Sequence, residues 1–415
     1  MSQSLGTQPY RFSIQHTFAA LSHPNYRIWF FGQMISLAGT WMQSTAQGYL
    51  IYELTHSSAF LGYVGLLGGL PSLLLMLYAG VIADRLPRRK LLVITQTCMM
   101  ILAFILGALT FTGFIQPWHI LVLAFLLGIA NSFDAPARLA FVPELVDRQT
   151  LTNAIALNAI MFNTATAVGP AIAGLAYSRF GPAWCFTLNG LSFLAIIGGL
   201  LIMRLRPWVP PQTKKSTFSD MITGFRYVYS HPTVSVLIFG LGMVSVFGMA
   251  FATLLPAWAV KILNGDASTL GVLQSSRGIG ALVAGFMIAS LSRYSFKGKL
   301  LTIGSLVFPV LIFIFSLVHW LPVSLVVAGF MGWGFMLLVN MTNTLVQTQT
   351  PDELRGRVMS VYSIVFFGGM PLGCLLAGQT AVRIGEPITV TISSIILLIY
   401  GLAIFFFLPK IRQLP

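Results

Sequence analysis

Apolar runs of about twenty residues, broken by short polar turns, fill the chain from residue 26 onward. A helix needs ~20 consecutive apolar residues to cross a bilayer, so each run predicts a membrane span. Helices 1 to 6 are predicted near 26–50, 59–83, 90–112, 117–137, 152–178 and 183–203. A longer polar stretch follows, with Pro207, Pro210, Pro211, Lys214 and Lys215. Helices 7 to 12 are predicted near 233–262, 268–292, 299–318, 322–348, 357–381 and 387–408. The expected fold is an all-α polytopic membrane protein of 12 transmembrane helices: one six-helix bundle over 1–203, a linker over 204–230 and a second bundle over 231–415.

The two halves repeat. Ser22-His23-Pro24 returns 208 positions later as Ser230-His231-Pro232, and Gly32 returns as Gly240. Leu61-Gly62 matches Leu270-Gly271, and Ala79-Gly80 matches Ala284-Gly285. Ala173-Gly174, Arg179 and Gly181 return 204 positions later as Ala377-Gly378, Arg383 and Gly385. A colinear series of this kind predicts two parallel six-helix repeats.

Composition sharpens this picture. Only 8% of residues are charged and 56% are hydrophobic, with mean hydropathy +0.84; soluble domains carry roughly 25% charged residues. The net charge of +14 does not point to nucleic acid, because Lys and Arg are confined to the turns. Arg85, Arg88, Arg89, Lys90, Arg138, Arg148, the basic residues of 204–226, Arg293, Lys297, Lys299, Arg355, Arg357, Lys410 and Arg412 all fall on one side. Arg179, Lys261 and Arg383 fall on the other. Positive loops stay in the cytoplasm, so both termini are expected there, in a multi-pass inner (plasma) membrane protein. Residues 1–25 lack an apolar core segment, so no cleavable signal is expected. Cys98, Cys185 and Cys374 lie inside apolar runs without disulfide or metal spacing. No Gly-x-x-x-x-Gly-Lys-Ser/Thr loop occurs, which excludes intrinsic ATP-driven transport. No catalytic constellation occurs either, so neither an enzyme nor a bound cofactor is expected.

Candidate chemistry lies on few positions. Gln33, Ser36, Thr40, Gln43, Ser44 and Gln47 share a sector of ~100° on helix 1 at 100° per residue. Lipid cannot satisfy amides, so the stripe turns toward protein or a water-filled cavity. The repeat positions on helix 7, Phe251 among them, carry no polar side chain, and Phe247 on the same helix could repack around varied shapes. Trp333, Met336, Asn340, Asn343 and Gln347 share one face of helix 10. A cavity with one polar and one apolar-aromatic wall suits an amphipathic ligand. Arg277 is the only base placed well inside a span, a counter-ion candidate. Asp134 and Glu53 are the proton-coupling candidates. Asp84, Arg85 and Arg88 with Asp134 and Arg138 are expected to form a cytoplasmic charge network, with Pro136 disturbing the helical turn between the last two.

The turn Gly80-Val81-Ile82-Ala83-Asp84-Arg85-Leu86-Pro87-Arg88-Arg89-Lys90 resembles the loop between helices 2 and 3 of the major facilitator superfamily. Asn25-Tyr26-Arg27, Gly39-Thr40-Trp41-Met42-Gln43, Phe133-Asp134-Ala135-Pro136-Ala137-Arg138 and Pro351-Asp352-Glu353-Leu354-Arg355-Gly356-Arg357 are similar to its enterobactin-exporter-like branch, the third drug:proton antiporter group. Gly169-Pro170-Ala171-Ile172-Ala173-Gly174 is similar to the family's exporter-type motif on helix 5. This resemblance implies helices 1, 4, 7 and 10 around a central cavity, a charge network that latches the halves, and secondary-active, proton-coupled export of a siderophore or amphipathic drug by a monomer in the lipid bilayer. A lysophospholipid carrier and a non-transporting membrane sensor remain the alternatives.

Overall fold

The computed structural model describes residues 18–205, 217–291 and 296–414. The side chains of Asp84 and Ala289, the linker positions 206–216 and Arg293 lie outside the described residues.

Twelve long helices organise the described chain: α1 (Pro24–Thr55), α2 (Ser58–Arg85), α3 (Arg88–Phe111), α4 (Pro117–Leu145), α5 (Leu151–Phe180) and α6 (Pro182–Ile202) in the first half. The second half holds α7 (Pro232–Ile262), α8 (Ala267–Leu291), α9 (Lys297–Leu317), α10 (Leu321–Thr348), α11 (Asp352–Ile384) and α12 (Glu386–Phe407). All but α1 are long and apolar enough to cross a membrane. That exception is the helix carrying the polar stripe. Outward residues form the lipid-facing coat: on α12, Ile388, Ile392, Ile395, Ile399, Leu402 and Phe406 are exposed at spacings of three and four, one stripe of a 3.6-residue helix.

The helix starts follow from sequence chemistry. Pro24, Pro117, Pro182 and Pro232 open α1, α4, α6 and α7, where a missing N–H costs nothing. The repeat is visible in backbone geometry. Gly181 ends α5 with φ +85° and ψ 170°, and Gly385 ends α11 with φ +86° and ψ 156°. This conformation is essentially restricted to glycine, which explains why the pair recurs 204 positions apart.

Several helices outrun the apolar runs. α4 continues to Leu145 through Pro136 and Pro143, and α11 begins at Asp352. Hydropathy marks the hydrocarbon core, whereas backbone hydrogen bonding carries a helix on into the polar boundary. Pro136 does not break the turn between Asp134 and Arg138, contrary to the disturbance expected there. α7 is segmented: a turn near Gly248 separates Pro232–Phe247 from Ala250–Ala257, and Trp258–Ile262 forms a π-helical turn. Residues Thr217–Ser230 of the linker form a further helix. Gly224 seats it against the Arg357 carbonyl of α11, and Tyr227 donates to the Gln349 carbonyl.

The halves meet along two close helix pairs, α2 with α11 and α5 with α8. Gly62 lies on Gly378 and the Cys374 carbonyl, Gly174 on Gly271 and Ser268, and Gly278 on Ala167. Small residues let backbones approach this closely. These contacts lie toward the end opposite the basic turns, here termed the far end. Hydrogen bonds cross between the halves there too, from Thr45 to Gln274 (2.6 Å), Ser58 to Glu386 (2.6 Å) and Ser268 to Ser178 (3.0 Å). At the basic end of the same helices, a side chain added at Gly80, Gly285 or Gly356 would meet open space. The cross-half contacts named here thus gather toward the far end, and these three glycines of the basic end carry none.

Candidate functional site

The α1 stripe is the floor plan of the site. Gln33 and Ser36 are buried, as are Gln43 and Gln47, while Ser44 is exposed. Two cavities lie along it. The smaller, about 150 Å³, is lined by Gln33, Ser36, Thr40, Gln96, Asn131, Asp134 and Arg138 among others. The larger, about 420 Å³, carries Thr40, Gln43, Ser44 and Gln47 on one side, with Val64, Leu127, Phe367 and Met370 among its apolar walls. Thr40, Asn131 and Phe193 line both, so the two are neighbours along one polar face. The larger volume falls within the ~300–1,000 Å³ of ordinary ligand sites.

Asp134 anchors the smaller cavity. Its carboxylate is only 1% exposed. Thr95 Oγ1 donates to it at 2.9 Å and Gln96 Nε2 at 2.8 Å. Arg138 stands 3.8 Å away on the next turn. Thr95 and Gln96 were not among the candidates read from sequence, although an amide inside the apolar run of α3 is the signal that could have found them. Beside Asp134, Gln33 Oε1 is buried without a hydrogen-bond partner. Gln43 accepts from Asn189 of α6 at 2.7 Å, which fixes that part of the stripe.

Of the expected cytoplasmic network, all but the Asp84 side chain fall among the described residues. Arg88 pairs with Glu144, Arg138 pairs with Asp134, and Arg85 is exposed. Both pairs lie within the first half. Glu53, at the far end of α1, accepts from the Tyr177 hydroxyl of α5.

The second-half candidates are placed differently. Neither cavity includes Phe247, Phe251, Arg277, Trp333, Asn340 or Asn343 among its lining residues. Phe251 is buried edge-on against Phe308 and Phe315. Asn340 bonds the Met336 carbonyl, and Gln347 donates to Asn343, so the α10 stripe satisfies itself in part. Met370 and Cys374 of α11 supply the second-half wall that helix 7 was expected to provide. The α2–α11 contact brings them there.

A further polar group was not legible from sequence. Glu386 at the start of α12 is buried and accepts from Ser58 of the first half and, at 2.7 Å, from Lys261 of the second. The π-helical turn of α7 aims Lys261, which also stands 5.9 Å from the Tyr52 ring centroid. In sequence Glu386 follows a glycine in a short turn and reads as solvated. Only the fold brings three distant segments together on it.

Residues 15–414 match the transmembrane secretion effector family. The chain is similar to the enterobactin exporter EntS of Citrobacter koseri, 25% identical over 399 residues, with 94% of each chain covered. It shares its fold with a peptide transporter POT solved in complex with sulfate: TM-score 0.72, 15% identity, 97% of this chain and 99% of the other. A bacterial homolog to the human lysosomal transporter Spinster is also similar, with TM-score 0.68, 14% identity, and 97% and 100% of the chains covered.

Proposed function

The chain belongs to the transmembrane secretion effector family of the major facilitator superfamily, and from that premise we propose that it is a proton-driven exporter of a small amphipathic molecule, of siderophore or drug-like type. It works in the inner membrane with its basic end in the cytoplasm, as the positive-inside rule assigns. It needs no bound cofactor and functions as a monomer in the bilayer.

The observation that carries this reading is the cavity of about 420 Å³, amides and hydroxyls on α1 facing apolar side chains of α2, α4 and α11. An amphipathic solute satisfies both walls. The cavity lies beneath a far end joined by glycine contacts and hydrogen bonds, and Gly80, Gly285 and Gly356 at the basic end carry none. We read this as an inward-open arrangement. Export then requires the far end to part and the basic end to close, and cargo and protons act by binding the two states unequally. Asp134 is the preferred proton carrier. It is buried, lines the polar cavity, and has two neutral donors with one loosely placed arginine.

Purified protein in liposomes with an imposed proton gradient tests this. Ethidium and a catecholate siderophore should both move against their gradients, and a protonophore should stop them. Rates equal to protein-free liposomes for both would end the exporter reading. Movement of a lysophospholipid alone would turn it into a lipid carrier.

A further inference from the structure

Among the described residues, Arg277 is a charged side chain inside the second half with no part in the proton and cargo cycle proposed for the α1 cavities. It lies ten residues into α8, about 15 Å along the axis from the far end at 1.5 Å per residue. It makes no hydrogen bond or ion pair with a described residue. The residue as a whole is half-buried. The guanidinium carbon lies 5.8 Å from the Phe251 ring centroid, within cation–π range. By contrast Arg88, Arg138 and Lys261 each have a carboxylate.

Its position relative to the cargo cavity follows from the cross-half contacts. Gln274, three residues earlier on α8, accepts from Thr45 of α1. A side chain at Gly48 of α1 would meet Pro256 of α7 at 3.5 Å. One helical turn from these contacts toward the basic end lie Ser44 on α1, the segment around Phe251 on α7, and Arg277 on α8. Ser44 lines the larger cavity. Arg277 therefore stands beside the cross-half contacts at about the level of Ser44, outside the lining of both cavities, with the Phe251 ring beside it.

Resting on the exporter reading, we infer that Arg277 and Phe251 form an anion-recognition subsite, and that the preferred cargo is an organic anion with an apolar body. A carboxylate, sulfonate or phenolate satisfies the planar donors of the guanidinium, and the apolar body reaches the α2–α11 wall. A cation of the same size meets an uncompensated positive charge there.

Anilinonaphthalene sulfonate and ethidium serve as probes, measured by binding to purified protein and by transport in liposomes. Arg277→Gln should weaken sulfonate binding and transport about ten- to a hundredfold, the scale of a lost charge-assisted hydrogen bond, and should hold or strengthen ethidium binding, because the repelling charge is gone. Arg277→Lys should fall between, keeping charge but losing the planar fork. Equal loss of both probes, or no loss of either, overturns the subsite. Should Arg277→Gln not fold, competition on the wild type decides: the sulfonate should win over uncharged anilinonaphthalene by about tenfold, and equal affinity overturns the inference. A wild type that carries ethidium but neither binds nor moves the sulfonate removes the subsite and leaves the exporter reading standing. One that moves no amphiphile at all removes the exporter reading itself.

Discussion

At the scale of single residues, Asp134 and Glu53 are both carboxylates on first-half helices, yet their surroundings differ. Asp134 is sealed, with donors from α3. Glu53 is exposed and held by one tyrosine. Of the two, Asp134 lines the polar cavity, where a change of conformation reaches its partners, and this favours it as the coupling group. Asp134→Asn keeps an acceptor for Thr95 and Gln96, and the Arg138 pair it loses is long, at 3.8 Å, so the fold should survive. We expect this variant to move cargo down its own gradient but no longer to speed up when a proton gradient is imposed, whereas Glu53→Gln keeps most of that response. Flux at several imposed pH differences checks this; a wild-type response from Asp134→Asn would release it from the role. The α1 stripe was legible because an amide in a span has nowhere to go but inward. The bonds among Gln43, Asn189, Gln96 and Asp134 were not, because periodicity reports which face a residue is on and not which neighbour meets it.

At the scale of helices, the far end is held by glycine contacts and by the Glu386 clasp. A Cβ at Gly378 would lie 2.6 Å from the Ser58 carbonyl and 2.8 Å from Gly62 Cα, whereas at Gly356, on the same helix, it meets open space. Overpacking of rigid backbone costs about 1–3 kcal/mol, and here it falls only on the state in which the far end is joined. Gly378→Ala should therefore depress transport by about tenfold or more at unchanged expression, through a shifted equilibrium. Gly356→Ala, in open space, should be close to neutral in this conformation. Turnover of the two variants at equal folded protein separates them, and equal behaviour would contradict the seam. The clasp has its own readout. Glu386→Gln keeps the Ser58 contact but loses the Lys261 charge pair, which should loosen the far end. Cys374, packed against Gly65 and Thr253 beneath the seam, then becomes the reporter. In a background without Cys98 and Cys185, an impermeant maleimide added at the far side should label Cys374 several-fold faster in Glu386→Gln; unchanged labelling would show that the clasp does not hold the gate. The glycine matches were visible in sequence as repeats, but their contact across halves was not, since a repeat relates positions by symmetry and the seam joins α2 to α11.

At the scale of the whole molecule, the helix count, the two-half plan and the repeat were legible, because a bilayer admits little besides apolar helices and because Gly181 and Gly385 hold a backbone shape nearly reserved for glycine. The cavity's composition was only half legible. Its polar wall is α1 as the stripe required, but the apolar wall comes from α2 and α11 in place of the α7 face. No single-helix pattern encodes how two bundles tilt against each other, and that tilt decides which wall faces the cargo. Alternating access requires the arrangement with a joined far end to be one of two exchanging states. Spin labels in a cysteine-free background, at Phe114 and Trp320 on the far side and at Lys90 and Lys299 on the basic side, all on surface turns or helix starts, measure that directly by pulsed dipolar spectroscopy. On protonation or cargo binding, the far-side distance should lengthen while the basic-side distance shortens in the same samples. Two distances that stay fixed, or that lengthen together, would contradict alternating access from this structure.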